Sequence, residues 1–191
     1  PPPPPPPPPP PFFSPPPREP PIPLRLVGSE MCIRDSPHTG GRHANAWFGK
    51  AKLSVVERYI NKLMRTGPYT GKKQGAMKAF EAALDNIAEK SGNNPLQTFV
   101  DAICNGAPME EITRIKFGAV SQPKAVDSSP SRRLDVALRN LAKGAQQGTH
   151  KSKRTLTNCI INELNKASAG DVTSYAVSKK EELERIASSA R

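Results

Sequence analysis

The chain has 191 residues, enough for one modest domain with a tail. It carries 28 Lys+Arg against 17 Asp+Glu, a formal charge of +11, which favours an anionic partner such as nucleic acid or an acidic membrane surface. No stretch approaches the length of apolar sequence a transmembrane helix needs, no charged start followed by an apolar run marks a signal peptide, and three cysteines without a C-x-x-C pair argue against a disulfide scaffold and for a reducing compartment. With 36% hydrophobic and 5% aromatic residues, the expected core is aliphatic and fairly small.

Residues 1–36 differ in kind from the rest. Of 23 prolines, 17 fall before residue 37. The segment's three arginines and three acids cancel, so the whole +11 lies in 37–191. Pro1–Pro11 predicts an extended polyproline II rod, which in a native chain would suit an SH3- or WW-type groove and make the protein a proline-rich adaptor. The run passes into Gly28–Ser36 (GSEMCIRDS), a string without periodicity that resembles the translated read-through of a cloning adaptor. Residues 1–36 are therefore expected to be disordered and non-native, and residues 37–191 to form the functional domain.

The first helix of that domain is announced by Ser54 and Glu57 in capping-box spacing. Val55, Val56, Tyr59, Ile60, Leu63 and Met64 follow at helical period, and Gly67-Pro68 ends the run. A second helix carries Met77, Phe80, Leu84, Ile87 and Ala88 and stops at Gly92. Asn94-Pro95 opens a third, with Leu96, Phe99, Val100 and Ile103 on its apolar face. Residues 110–128 alternate around Gly118, which predicts a β-hairpin with one apolar and one basic face; Pro123 confines its second arm to an edge. Ser129-Pro130 starts a fourth helix through Leu134, Ala137, Leu138 and Leu141, broken by Gly148. Leu156, Cys159, Ile160, Leu164 and Ala167 make a fifth, and Ser178 with Glu181 opens a sixth bearing Leu183, Ile186 and Ala187. The fold expected is mainly α: a bundle of about six short helices with a β-hairpin protruding between the third and fourth.

Basic residues gather at element ends. Arg42, Lys50 and Lys52 precede the first helix, and Lys72 and Lys73 open the second. Arg114, Lys116 and Lys124 lie on the hairpin, and Arg132 and Arg133 in the first turn of the fourth helix. Lys151, Lys153 and Arg154 open the fifth, and Lys179 and Lys180 the sixth. Cations at a helix start oppose the helix dipole at a cost of a few tenths of a kcal/mol each. A phosphate at the same place reverses the sign, because exposed N–H groups and cations then act together. These ends are read as phosphate contacts.

Other chemistry is not expected. Gly67–Lys73 (GPYTGKK) has too few residues between its glycines for a nucleotide loop, Lys73 where Ser or Thr should bind magnesium, and a helix in front. His38, His43 and His150 have no metal-ligand spacing to cysteine, and Cys104 and Cys159 sit on apolar helix faces as small core residues. Glu110-Glu111 has no nearby histidine to form a catalytic set, so neither enzyme activity, cofactor nor metal is predicted. His43, Trp47 and Phe48 interleave with Arg42 and Lys50; they either stack on unpaired bases or fold back onto the helices.

Several strings, in order, resemble one family. They are Val56–Arg58 (VER), Gly71–Lys73 (GKK), Asn94–Gln97 (NPLQ), Thr113–Ile115 (TRI), the run AVDSSPSRR ending at Arg133, and the C-terminal SYAVSKKEELERIASSAR of Ser174–Arg191. From Pro37 onward the chain is similar to the universal small-subunit ribosomal protein numbered seven in bacteria and five in the eukaryotic cytosol, closest to the eukaryotic and archaeal branch. The resemblance implies a cytoplasmic protein seated in the head of the small subunit. Its implied partners are the 3′ major domain of the ribosomal RNA, neighbouring small-subunit proteins, and, through the hairpin arm, exit-site tRNA and mRNA. It implies rRNA contacts at Lys50, Lys52, Lys72, Lys73, Arg114, Lys116, Arg132, Arg133, Lys179 and Lys180. The hairpin tip, Gly118, Ala119, Val120, Ser121 and Gln122, would lie nearest the tRNA and mRNA. Phe117, Gln122 and Pro123 stand where the family more often has arginine. A general nucleic-acid-binding helical protein is the alternative, explaining the charge but not the ordered motifs.

Overall fold

In the computed structural model the described residues are 39–65, 67–92, 94–118 and 120–190. The proline-rich segment, His38, Ala119 and the side chains of Phe117 and Val120 lie outside them. Six α-helices and one hairpin follow in order: α1 (Val55–Leu63), α2 (Lys73–Ser91), α3 (Pro95–Gly106), β1 (Glu110–Phe117), β2 (Val120–Asp127), α4 (Pro130–Thr149), α5 (Leu156–Ser168) and α6 (Tyr175–Ser189). Short 3-10 turns occupy Arg42–Asn45, Gly49–Lys52 and Gly67–Tyr69. The expected architecture, helices with a hairpin between the third and fourth, is the observed one.

Helix α5 is central and packs against α2, α3 and α4. Its sequence allows this because Leu156, Ile160, Ile161, Leu164 and Ala167 are all buried, an apolar surface wider than one stripe. Helix α1 bridges α2 and α4, while α6 packs against α3, α4 and β1. The core is not purely aliphatic. Tyr59, Phe80 and Phe99, one from each of α1 to α3, form a triangle with ring centroids 5.1, 5.4 and 5.3 Å apart. Three well-placed rings fill the junction of three helices, which a low aromatic fraction does not forbid.

Helix ends are tied by side chains from elsewhere. Asn105 Nδ2 donates to the carbonyls of Ala167 and Ser168 at 3.0 and 2.9 Å, closing the end of α5. Gln146 on α4 reaches the Leu63 carbonyl at the end of α1. Glu163 on α5 accepts from Ser174 Oγ at 2.8 Å and from the Ala176 N–H at 3.1 Å. That buried carboxylate caps α6, so the helix begins at Tyr175, three residues before the expected Ser178. Burial first, and then the Glu163 charge, push the Tyr59 hydroxyl well above the usual tyrosine range.

Further expectations are corrected by packing. Gly148 does not end α4, which runs on to Thr149. A Cβ at Gly148 would stand 3.1 Å from Cys159 Sγ, and one at Gly144 would stand 2.6 Å from the Glu163 carboxylate, so both glycines let α5 approach α4. On α3 the buried face is Phe99, Ala102, Ile103 and Gly106. That register turns Leu96 (45% exposed), Val100 (48% exposed) and Cys104 outward. Cys159 alone of the two described cysteines is buried as expected. Helix α1 also stops before Gly67-Pro68, ending at Leu63.

The hairpin pairs Glu110 with Asp127 through Phe117 with Val120, and Gly118, at φ 60°, starts its two-residue turn. Ser121 and Gln122 therefore belong to β2, not to the turn. Register places Arg114, Lys116, Ser121 and Pro123 on one face with Ile112 and Ala125. Lys124 falls on the other face, opposite Thr113. The faces are thus mixed, not one apolar and one basic.

Candidate nucleic-acid interface

Arg58 and Lys62 lie one turn apart on α1 and so share one face, and Arg65 follows just beyond the helix end at Leu63. Arg132, Asp135 and Arg139, at i, i+3 and i+7, share one face of α4. The two faces meet across a groove of about 530 Å³ whose wall is completed by the segment carrying His43, Phe48 and Lys50. Ser129 and Ser131, at the start of α4, also line it. The Ser129 side chain makes no capping bond there, and Pro130 brings no N–H. The start of a 20-residue helix, with the positive end of its dipole, therefore borders the groove.

One acid organises these cations. Arg58 Nη2 donates to Asp135 Oδ1 at 2.9 Å, and Lys50 pairs with Asp135 Oδ2. Burial alone would raise the Asp135 carboxyl, but the hydrogen bonds and charges of Lys50 and Arg58 outweigh it and hold the group below the usual aspartate range. Lys62 has no such anchor among the described residues. Partial burial, and then the charges of Arg139, Arg65 and Lys50, draw its ammonium below the usual lysine range, against the pull of Asp135. A lysine that holds its proton less tightly among other cations marks a place where an added anion would be welcome.

A second acid lies just behind. Glu57, 1% exposed, accepts from Lys73 Nζ at 2.8 Å and from the Thr39 N–H and Oγ1 at 3.0 Å each. The Ser54 hydroxyl accepts from the Glu57 N–H at 3.4 Å, as a cap should. The Glu57 carboxylate, however, turns away to tie the segment before α1 and the start of α2 to α1. Burial would raise this carboxyl too; Lys73 and Thr39 together bring it below its ordinary value.

The residues predicted as phosphate contacts are thereby sorted. Lys50 and Arg132 line the groove. Arg132 Nε also lies 2.6 and 2.7 Å from the two Glu111 oxygens, fastening the base of the hairpin to α4. Lys73 is committed to Glu57, and Lys179 pairs with Glu182 one turn on. Lys179 and Lys180 sit in the second turn of α6, whose first turn is capped by Glu163; the reading of them as helix-opening residues is corrected. Arg42, Lys52, Lys72, Arg114, Lys116 and Lys124 are exposed. Arg133 is half-buried, with Nε unpartnered among the described residues. Lys151, Lys153 and Arg154 are exposed at the far end of α4, about 25 Å of helix from Arg132. Arg58, Lys62, Arg65 and Arg139 were not foreseen. Helical period applied to basic residues, as it was to apolar ones, would have found them.

A helix start opening into a cationic groove, with a ribbon bearing further cations fastened at its edge, defines a helical protein suited to seating on a polyanion. Known proteins make the class specific. The family model described as "Ribosomal protein S7p/S5e" matches residues 33–191. The chain is 53% identical over 154 residues to "Small ribosomal subunit protein uS7" of Thermoplasma volcanium, covering 81% of this chain and 84% of that one. It is 48% identical over 165 residues to the protein of that name from Archaeoglobus fulgidus, covering 85% of each. The counterpart from Picrophilus torridus is 51% identical over 154 residues, or 81% of this chain and 82% of its own length. The chain belongs to the S7p/S5e family of ribosomal proteins.

Proposed function

We propose that this protein is a structural constituent of the small ribosomal subunit in the cytoplasm, non-catalytic, that binds the 3′ major domain of the ribosomal RNA in the head and supports head assembly. The groove between α1 and α4 carries the reading, because six cations, Lys50, Arg58, Lys62, Arg65, Arg132 and Arg139, line it together with one acid, Asp135, at the start of a long helix. Such a site takes phosphates without reading bases, which suits a protein that recognises RNA by shape. Lys72, Lys52 and Arg42, exposed near α1 and α2, extend the contact. Lys151, Lys153, Arg154 and Lys180 serve more distant parts of the RNA, while neighbouring small-subunit proteins cover the remaining surface. The ribbon, with Arg114 and Lys116 on one face and Lys124 on the other, reaches towards exit-site tRNA and mRNA. Residues 1–36 take no part.

The test is incorporation. A tagged chain with Lys62→Glu and Arg139→Glu, two partly exposed groove positions, should fold with an unchanged melting profile and fail to co-sediment with small subunits. Normal co-sedimentation would sink the assignment of the groove. Equal affinity of the wild-type chain for a 3′-major-domain fragment and for random duplex DNA, at one salt concentration, would favour the general nucleic-acid binder.

A further inference from the structure

Trp47 and Phe48 do not fold back onto the helices. They are 91% and 72% exposed, and their rings stack on each other with centroids 6.0 Å apart and planes 14° from parallel. Two large apolar side chains side by side in water mark a surface that something covers. The segment is held rather than loose. Phe48 accepts a hydrogen bond from the Ala51 N–H at 2.9 Å, and Gly49 donates to the Ala46 carbonyl at 3.0 Å. A Cβ at Gly49 would collide with the His43 carbonyl oxygen at 2.5 Å, so the turn is closed tightly beneath the rings. Phe48 itself is kept at φ 55°, a left-handed conformation that an L residue with a bulky side chain avoids unless its surroundings impose it.

Charge decides what covers them. Phe48 also lines the cationic groove, beside His43 and Lys50, so the ring pair adjoins a basic groove through Phe48. A ligand with anionic phosphates along its length and flat aromatic faces between them matches both halves. We propose that Trp47 and Phe48 form a stacking platform for an unpaired RNA base, placed at the mouth of the groove that holds the adjoining phosphates. A nearly parallel pair leaves one face of the stack open to continue the series with a base. The proposal rests on the RNA-binding reading of the groove and adds a preference for single-stranded RNA at its edge.

Trp47 is the sole tryptophan of the chain, so its fluorescence reports on the platform directly. The full chain is titrated at low salt with a fluorescently labelled single-stranded RNA dodecamer, with the same sequence as a blunt duplex, and with vesicles of phosphatidylglycerol and phosphatidylcholine. Tryptophan emission and label anisotropy are read in parallel. The single strand should quench Trp47 by half or more and the duplex hardly at all. Trp47→Ala should bind the single strand about 5- to 150-fold more weakly, the usual range for one stacked base, while its duplex affinity and melting temperature stay unchanged. Trp47→Phe should recover most of the loss. Tight single-strand binding without quenching, or with Trp47→Ala equal to wild type, overturns the platform and leaves the groove standing. Absence of RNA binding altogether overturns both. A blue shift with vesicles that exceeds the response to RNA assigns the rings to a lipid surface and also overturns the proposal.

Discussion

Replacing Glu57 by Gln removes a charge and little else. The carboxylate is almost wholly buried and faces Lys73, whose side chain is 15% exposed. Breaking a buried ion pair by removing one partner costs roughly 3–5 kcal/mol, because the other charge is left behind. Lys73 can partly rehydrate, and the Gln oxygen still accepts from Thr39, so the expected loss is about 2–3 kcal/mol. In a body of this size each kcal/mol lowers Tm by about 2–4 °C, so melting should fall by about 5–10 °C at neutral pH. The pH dependence separates this cause from a packing defect. The carboxyl titrates below its ordinary value of 4.5, so its contribution is complete above that value and is lost as pH falls through the lowered one. Wild type and E57Q, followed by urea denaturation from pH 7 to pH 2, should therefore converge in acid. A difference under about 0.5 kcal/mol at pH 7, or one that persists unchanged at pH 2, would refute the ion-pair account.

Lys72 and Lys73 are neighbours with opposite fates, and substitution should tell them apart. Lys73→Met should destabilise the fold by about 2–3 kcal/mol through the stranded Glu57, whereas Lys72→Met should leave stability within about 0.5 kcal/mol and weaken RNA binding, as denaturation and anisotropy would show. Lys62 should titrate below 10.5 in the isolated protein, and its midpoint should rise when phosphate or RNA enters the groove. Since only the protonated ammonium attracts phosphate, RNA affinity should fall as pH rises through that lowered midpoint. An NMR titration of the lysine side chain in both states checks the direction.

What was legible in the sequence is what is local. The helix faces of α2 and α5 read correctly because their apolar residues keep a single helical period, and the hairpin shows itself by alternation around Gly118. The misreadings come from groups far apart in sequence. The start of α6 was misplaced because its cap is Glu163, on another helix, and not the capping pair that Ser178 and Glu181 suggest. Lys73 reads as a phosphate contact until Glu57, 16 residues earlier, is seen to hold it. Gly148 reads as a break because its purpose, room for Cys159, is tertiary. Leu96 and Val100 share an apolar pattern with Phe99 and Ile103, and only the packing of α3 decides which pair faces inward. The groove is hard to read for a different reason: Arg58, Lys62 and Arg65 keep helical spacing, but they interleave with the apolar residues that define the helix. The family motif VER then has a physical meaning. Its Glu57 ties the ends of two neighbouring segments to α1, and its Arg58 reaches Asp135 across the groove.

The claim on which the account turns is that phosphates occupy the groove between α1 and α4. The salt dependence of binding to a 3′-major-domain rRNA fragment measures it most directly, because each phosphate neutralised contributes about 0.7–0.9 to the slope of log affinity against log salt concentration. Lys62→Met with Arg139→Met should reduce that slope by about 1.5, and weaken binding most at low salt, in a protein that melts normally. An unchanged slope in the folded double variant would place the RNA elsewhere.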